Sequence, residues 1–557
     1  MTITTFLNLR AFRRILFFCG LTVFALPPGL VQAQSAGLPP VIWDRRVGGA
    51  DNEELSAAVA TADGGYLLAG TSESGATGDR TQPSQGQRDY WAMKVDAAGN
   101  RQWDRRYGGT DHERLATALP TADGGYLLAG TTYSNGTGDM TQPSQGDGDY
   151  WVVKLDATGA KQWDRRFGGN FDDELYSAIQ TADGGYLLAG ATTSDVTGDL
   201  TQPGKGLVDG WAVKIDAAGI KQWNQRLGGA NRDGFLSAIQ TADGGYLLGG
   251  GTSSAVSGDV SQPNRGDVDY WIVKTDVSGV KLWDQRFGGD NQDALIRILQ
   301  TADGGFLLSG TSPSAAGGDK TQPNHGSGNT GLSDYWVVKT DAAGTKLWDR
   351  RYGGTNDDFL TGVCPAPNGG YVLAGWSRSG ASADKTQPSQ GRDDYWLVRI
   401  DGGGTQLWDQ RMGGLGDDVD PRVVPLPAGG YLVAGTSDSG TSGNKTQPSQ
   451  GLRDFWAVRL GAELLATTPP RWSAAVEVYP NPAHGAATVR LPGREAGANS
   501  ASLTLFDAVG RTLLRQRAML GATAGIAALP LDNVANGLYL LRVQIGRETV
   551  VRRVEVR

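Results

Sequence analysis

Tryptophan recurs through most of this chain at a fixed distance, and that spacing leaves few folds open. One series runs Trp43, Trp103, Trp163, Trp223, Trp283, Trp348 and Trp408, and a second runs Trp91, Trp151, Trp211, Trp271, Trp336, Trp396 and Trp456. The period is 60 residues, broken once by a five-residue insertion near His325 to Ser333. Fourteen of the 16 tryptophans therefore hold repeat positions. A repeat of this kind is one supersecondary unit that cannot bury its apolar face alone, so neighbouring units must stack.

Each unit reads as four short strands. The stretch Asp89 to Gly109 alternates in strand fashion on both sides of Asp96-Ala-Ala-Gly99. That turn offers an Asx side chain as a cap and a glycine for positive φ, which is a hairpin signature. A second pair of apolar segments, such as Leu175 to Gln180 and Tyr186 to Gly190, is joined by Asp183-Gly-Gly185, another hairpin turn. Most of the 83 glycines are turn residues at fixed places rather than a sign of disorder.

Seven such units predict an all-β chain whose residues 34–460 form a seven-bladed β-propeller of four-stranded blades. A β-solenoid is the rival, with shorter coils and distinct end caps. The array starts at Val41 to Gly49, a second hairpin arm without its first, and stops at Asp454 to Leu460, a first arm without its second. That offset is what ring closure requires: the N-terminal strand completes the last blade and removes its sheet edge. With the Asp-Gly-Gly hairpin innermost, links such as Gly108 to Glu113 and loops such as Ser72 to Arg88 emerge on one face, the face expected to carry any ligand.

Residues 1–33 read as a secretory signal peptide, with Arg10, Arg13 and Arg14, the apolar run Ile15 to Leu26, and the small-residue pattern Val31-Gln-Ala33. No other apolar run has the length to cross a bilayer, so no transmembrane anchor is expected in the mature chain. Losing the signal leaves Cys364 as the sole cysteine, which excludes an intramolecular disulfide and a cysteine-based metal site. The net charge of −8 is uneven: the signal carries three arginines, and residues 476–557 carry ten arginines against six acids. Residues 34–460 therefore hold about −15, which argues against nucleic acid or anionic membrane as partners.

The long loop of each unit repeats Gly-Asp-x-Thr-Gln-Pro-x-x-Gly. Its Asp79, Asp139, Asp199, Asp259, Asp319 and Asp384, with Gln82, Gln142, Gln202, Gln262, Gln322, Gln387 and Gln447, offer a ring of equivalent shallow sites for a polar, repetitive ligand such as a glycan. The same residues serve equally well as turn caps and stiffeners that cover the next blade. Tyr133 and Trp376 are the few loop-region aromatics able to act as sugar platforms. Calcium is the one cofactor left open, through Asp172, Asp173, Asp357, Asp358, Asp417, Asp418 and Asp420, although no Asp-x-Asp-x-Asp-Gly loop is present. Arg three residues after each second-arm Trp, and Asp two before each first-arm Trp, read as scaffold pairs. The three histidines, His112, His325 and His484, give a His-dependent nucleophile almost no material. No catalytic residue is assigned. A carboxylate-dependent enzyme acting on polysaccharide is the alternative to a binding module, and a scaffold for protein partners is the third reading.

Residues 461–475, with Thr467-Thr-Pro-Pro470, read as a linker. From Val476 a new pattern of short strands suits a small β-sandwich. The stretch contains Tyr479-Pro480-Asn481-Pro482, Leu505-Phe-Asp-Ala-Val-Gly510, Asn536-Gly537-Leu-Tyr539 and a basic end with Arg552 and Arg553. In that order these motifs resemble the type A C-terminal sorting domain of the Bacteroidota type IX secretion system; the usual ending is Lys-rich where this one has Arg. The resemblance implies passage through the periplasm, recognition of residues 476–557 by the type IX machinery, and release or attachment at the outer cell surface. The array is similar to uncharacterised propeller cargo of such bacteria and, loosely, to kelch-like propellers. The chain thus reads as a secreted or cell-surface binding module, with a glycan or a protein as candidate ligand.

Overall fold

The computed structural model describes residues 38–326, 332–367, 369–427, 429–463, 475–493, 499–507, 512–532, 534–545 and 548–557. The signal segment, most of the expected linker and Gly510 lie outside the described residues. Two compact units result, Leu38–Glu463 and the C-terminal segment.

The first unit holds seven four-stranded antiparallel sheets among the described residues. The first sheet orders Glu53–Ala60, Tyr66–Ser72, Asp89–Val95 and Arg101–Tyr107 from inner to outer strand, and the next five repeat that order. The seventh comprises Asp418–Pro425, Tyr431–Ser437 and Asp454–Leu460, and its outer strand is Val41–Val47, with Arg46 opposite Trp456. The two half hairpins of the sequence are one hairpin of this sheet.

Local chemistry makes the turns. Asp96 Oδ1 accepts from the backbone N–H of Ala98 at 2.9 Å and of Asn100 at 2.8 Å, and Gly99 takes a φ of +80°. At the inner hairpin, Asp63 Oδ1 accepts from Gly65 N–H while Gly64 takes a φ of +83°.

Packing between sheets falls to the third strand. Its seven tryptophans are fully buried. Tyr90 of the first sheet lies 4.8 Å from the Trp151 ring of the second, and its hydroxyl donates to the Trp151 carbonyl at 3.2 Å. Tyr150 with Trp211 and Tyr335 with Trp396 repeat the contact, each pair adding about 0.5–1.5 kcal/mol beyond its buried area. The ring of Phe455 in the seventh sheet lies 5.2 Å from that of Trp91 in the first, so those two sheets also share a core. The outer-strand tryptophans are only half-buried; Trp103 reaches Tyr126 of the next sheet edge-on at 6.0 Å.

In the second unit, Thr512–Met519, Ser500–Phe506, Gly537–Ile545 and Glu548–Val556 form one run of antiparallel strands. Glu477–His484, Ala486–Leu491 and Gly525–Pro530 form another, joined to the first by a single parallel pair, Ala483 with Val556. The hydrogen-bonded order is therefore a continuous seven strands around one core that includes Val489, Leu503, Leu541 and Val554. Thr512–Met519 is an exposed edge strand carrying Arg515 and Arg517.

Candidate functional site

The repeated loop residues make bonds within the array. All seven loop glutamines accept a backbone N–H from the outer strand of their own sheet; Gln82 Oε1 receives Arg106 N–H at 2.8 Å and Gln447 Oε1 receives Arg46 N–H at 2.9 Å. Gln142, Gln202, Gln262, Gln322 and Gln387 do the same for Arg166, Arg226, Arg286, Arg351 and Arg411. The loop aspartates reach the preceding sheet instead. Asp79 Oδ2 accepts from Gly48 N–H at 3.2 Å and Asp139 from Gly108 N–H at 3.1 Å, with Asp199, Asp259, Asp319 and Asp384 equivalent. Each loop thus staples two sheets.

The acidic links divide into two kinds. Asp173, Asp358 and Asp418 open inner strands, are fully buried, and each accepts from a glycine N–H of the link at 2.7 Å and from a serine hydroxyl. Burial pushes Asp173 up to about 7 and Asp358 and Asp418 up to about 6. Asp357 accepts from Ser333 N–H, and Asp417 pairs with Arg392 at 2.9 Å and Arg453 at 3.7 Å. Asp172 N–H donates to Thr193, and Asp420 takes a φ of +56° in a two-residue bulge. Among the described residues no group of three or more His, Cys, Asp or Glu is placed to hold a metal.

What breaks the repetition lies at the inner strands. Every one carries a bulge after the second or third pair of its ladder, between Leu55 and Ala57 in the first sheet. A bulge re-aims the side chain it frees. The bulged residues are Ser56, Ala116, Tyr176, Leu236, Ile296 and Thr361, six different types where the third strand keeps one tryptophan. They line a single cavity of about 340 Å³, to which the inner strands of all seven sheets contribute. Trp376, where four of the other six second strands have Thr, forms part of its wall, stacked 4.4 Å from Phe359 and capped by Arg378 at 5.6 Å.

Charge pairs rim the opening on the loop side. Arg114 donates to Glu174 at 3.2 Å and lies 5.2 Å over the Tyr176 ring, whose hydroxyl donates to the same Glu174. Arg378 holds Asp393 at 2.6 Å, and Arg88 holds Glu73 at 2.6 Å. Burial pushes the Asp357 carboxyl up. An adjoining, more open cavity of about 710 Å³ is lined by Tyr133, His112, Glu73 and Arg114. Of the two aromatics expected in loop regions, Tyr133 stands at this open cavity, whereas Trp376 belongs to the strand Tyr371–Ser377 and walls the first cavity. The inner-strand residues escaped the sequence reading because they do not recur, and disagreement between repeats was the signal that would have found them.

In the C-terminal unit the motif residues join the chain's last strand. Asn481 Nδ2 donates to Arg553 O and its Oδ1 accepts from Glu555 N–H, both at 2.8 Å. Arg552 Nε donates to Val476 O at 2.8 Å, Tyr539 Oη to Ala535 O at 2.7 Å, and Gly537 pairs with Val556. Residues 477–557 match the family of secretion system C-terminal sorting domains. This segment is a type IX sorting domain. It marks the chain as cargo for secretion, and the sorting domain is the part that meets the secretion machinery. Among the described residues no helix is long and apolar enough to cross a membrane.

The chain is also similar to the regulatory protein FlaEY of Caulobacter vibrioides, 25% identical over 404 residues, or 67% of this chain. It spans 41% of that curated relative's length. Among solved structures it is similar to a protein of unknown function from Dyadobacter fermentans DSM 18053, at 12% identity over 76% of this chain and 99% of the other, with a TM-score of 0.38. The Neurospora crassa Pan2 WD40 domain is similar at 11% identity over 74% and 89%, with a TM-score of 0.39.

Proposed function

We propose that the mature chain is a secreted or cell-surface binding module whose seven sheets form one closed seven-bladed β-propeller over residues 34–460, taking its ligand into the central cavity from the loop face. One observation carries this reading. In an array whose scaffold positions repeat, the residues around a single shared cavity differ from sheet to sheet. Packing alone needs only repeated contacts; an asymmetric lining creates one site rather than seven. Tyr176 and Trp376 offer apolar faces beside charged groups, a combination that suits a terminal sugar or another small polar ligand.

Residues 1–33 serve as the signal peptide, 461–475 as the linker, and 476–557 as the part read by the type IX machinery of a Bacteroidota host. A glycan array probed with the full chain, with and without calcium, tests the ligand. Binding that falls in both Tyr176→Ala and Trp376→Ala supports the cavity. Binding untouched by both variants would move the ligand elsewhere, and a uniformly blank array would remove the sugar reading.

A further inference from the structure

We propose that the central cavity binds the carboxylate of a small amphipathic monoanion between Arg297 and Arg422, with the apolar body of the ligand against Leu236, Ile296 and Tyr176. The proposal rests on the cavity being the ligand site. Arg297 and Arg422 hold the same position of the inner strand in the fifth and seventh sheets, where the other five carry Ala57, Thr117, Ser177, Ser237 and Gly362. Gly362 belongs to the sheet between them and presents no side chain. The two guanidinium groups can therefore approach each other in front of it.

They differ from the other cations at this cavity in their partners. Arg114 has Glu174, Arg378 has Asp393 and Arg453 has Asp417. Arg297 Nη1 meets only backbone carbonyls, Ile296 O at 3.1 Å and Leu236 O at 3.5 Å. Arg422 Nε donates to Ser56 O at 2.9 Å and its Nη1 to Thr361 O, with Asp420 as the acid bearing on it. Burial first, and the charge of Arg422 second, push Arg297 down to about 9. Two cations against one acid leave positive charge on the cavity wall, where both arginines are half-buried and an incoming anion would balance them.

A carboxylate matches the planar fork of a guanidinium. A monoanion is favoured over a dianion because the same lining carries Glu54, Asp357 and Asp393, which, although each lies within 4 Å of an arginine, limit how much further negative charge the cavity accepts. The volume of about 340 Å³ suits a molecule of one ring rather than a polymer segment.

Titration calorimetry of the full chain with benzoate, benzamide and phenyl phosphate tests this. Benzoate should bind about tenfold or more tightly than benzamide. Arg297→Gln and Arg422→Gln should each bring benzoate down to the benzamide level while leaving benzamide unchanged. Arg297→Lys keeps the charge and should retain part of the preference, and a thermal melt of each variant separates lost binding from lost fold. Equal binding of benzoate and benzamide, both lost in Tyr176→Ala, would overturn the anion site and keep the cavity. Phenyl phosphate binding more tightly than benzoate would overturn the monoanion preference. Failure of all three probes to bind would overturn the cavity reading together with the anion site.

Discussion

Arg226 Nε donates to Asp209 Oδ2 at 2.6 Å inside the third sheet, where neither side chain has appreciable access to solvent. The reason is Leu200 in the long loop. Where that loop position is apolar, at Met140, Leu200 and Val260, the outer-strand arginine turns inward and pairs with the buried aspartate, as Arg166 does with Asp149 and Arg286 with Asp269. Where it is cationic, the loop residue faces the aspartate instead: Arg80 pairs with Asp89 at 3.2 Å, and the charges of Lys320, Lys385 and Lys445 bear on Asp334, Asp394 and Asp454. In the first and seventh sheets the outer arginine turns toward the neighbouring loop, Arg106 to Asp139 at 3.2 Å and Arg46 to Asp79 at 3.1 Å, whereas Arg351 and Arg411 stay 3.7 and 3.9 Å from Asp334 and Asp394. Each sheet thus places a cation beside one buried acid, drawn from the loop, from the outer strand or, in the fifth and sixth sheets, from both.

Removing the cation where only one is present should be costly. Arg226→Leu leaves Asp209 buried without its partner and should destabilise the array by about 3–5 kcal/mol. Adding Leu200→Lys should recover most of that loss, and Arg106→Leu should cost about 1 kcal/mol or less because Arg80 remains. Urea denaturation checks the series; equal losses for Arg226→Leu and Arg106→Leu would break the rule.

A second exchange concerns apolar volume. The third sheet has Gly210 where most others have tyrosine, and Phe235 of the next sheet fills the space, stacking 5.5 Å from Trp271. A Cβ on Gly210 would meet Phe235 Cε2 at 2.4 Å. Gly210→Tyr alone should destabilise by about 1–3 kcal/mol, and Gly210→Tyr with Phe235→Leu should restore the common pairing. Additive losses in thermal melts would show that the two positions are not coupled.

The array should be most stable in mild acid. Burial raises Glu113 and Asp173 to about 7 and Asp358 and Asp418 to about 6, so the folded chain holds protons that the unfolded chain releases, and stability falls as pH rises from about 4 through 7. On the opposite face Asp63 is held down to about 2, chiefly by its hydrogen bond from Lys94, and Asp303 to about 2, chiefly by Thr301. Their contribution is present above about pH 4 and is lost as pH falls through about 2. Melting midpoints should peak near about pH 4–5, and a midpoint climbing steadily from pH 4 to 8 would contradict the assignment.

Export should depend on the tie between the sorting motif and the last strand. Asn481→Ala removes both bonds to the Arg553–Glu555 backbone and should destabilise the sorting domain by about 1–2 kcal/mol. In a type IX-competent host, deletion of residues 476–557 should hold the protein in the periplasm, and Asn481→Ala should lower surface yield. Undiminished export after the deletion would refute the routing.

The sequence by itself determined what short-range chemistry can determine. Tryptophan at a period of 60, Asx-Gly turns and the split hairpin were enough to specify four-stranded units and the pairing of Val41–Val47 with Asp454–Leu460. Those features act over a few residues or repeat many times, so they are visible without coordinates. The tertiary structure decided which polar residues are already engaged. Gln82 and Asp79 looked equally suited to a ligand or a scaffold because their partners, Arg106 N–H and Gly48 N–H, lie 24 and 31 residues away. It also decided which residues share the central cavity, since Tyr176, Arg297 and Arg422 come together only when seven inner strands converge on it. Repetition made the scaffold legible, and the departures from it become a site only through convergence in space.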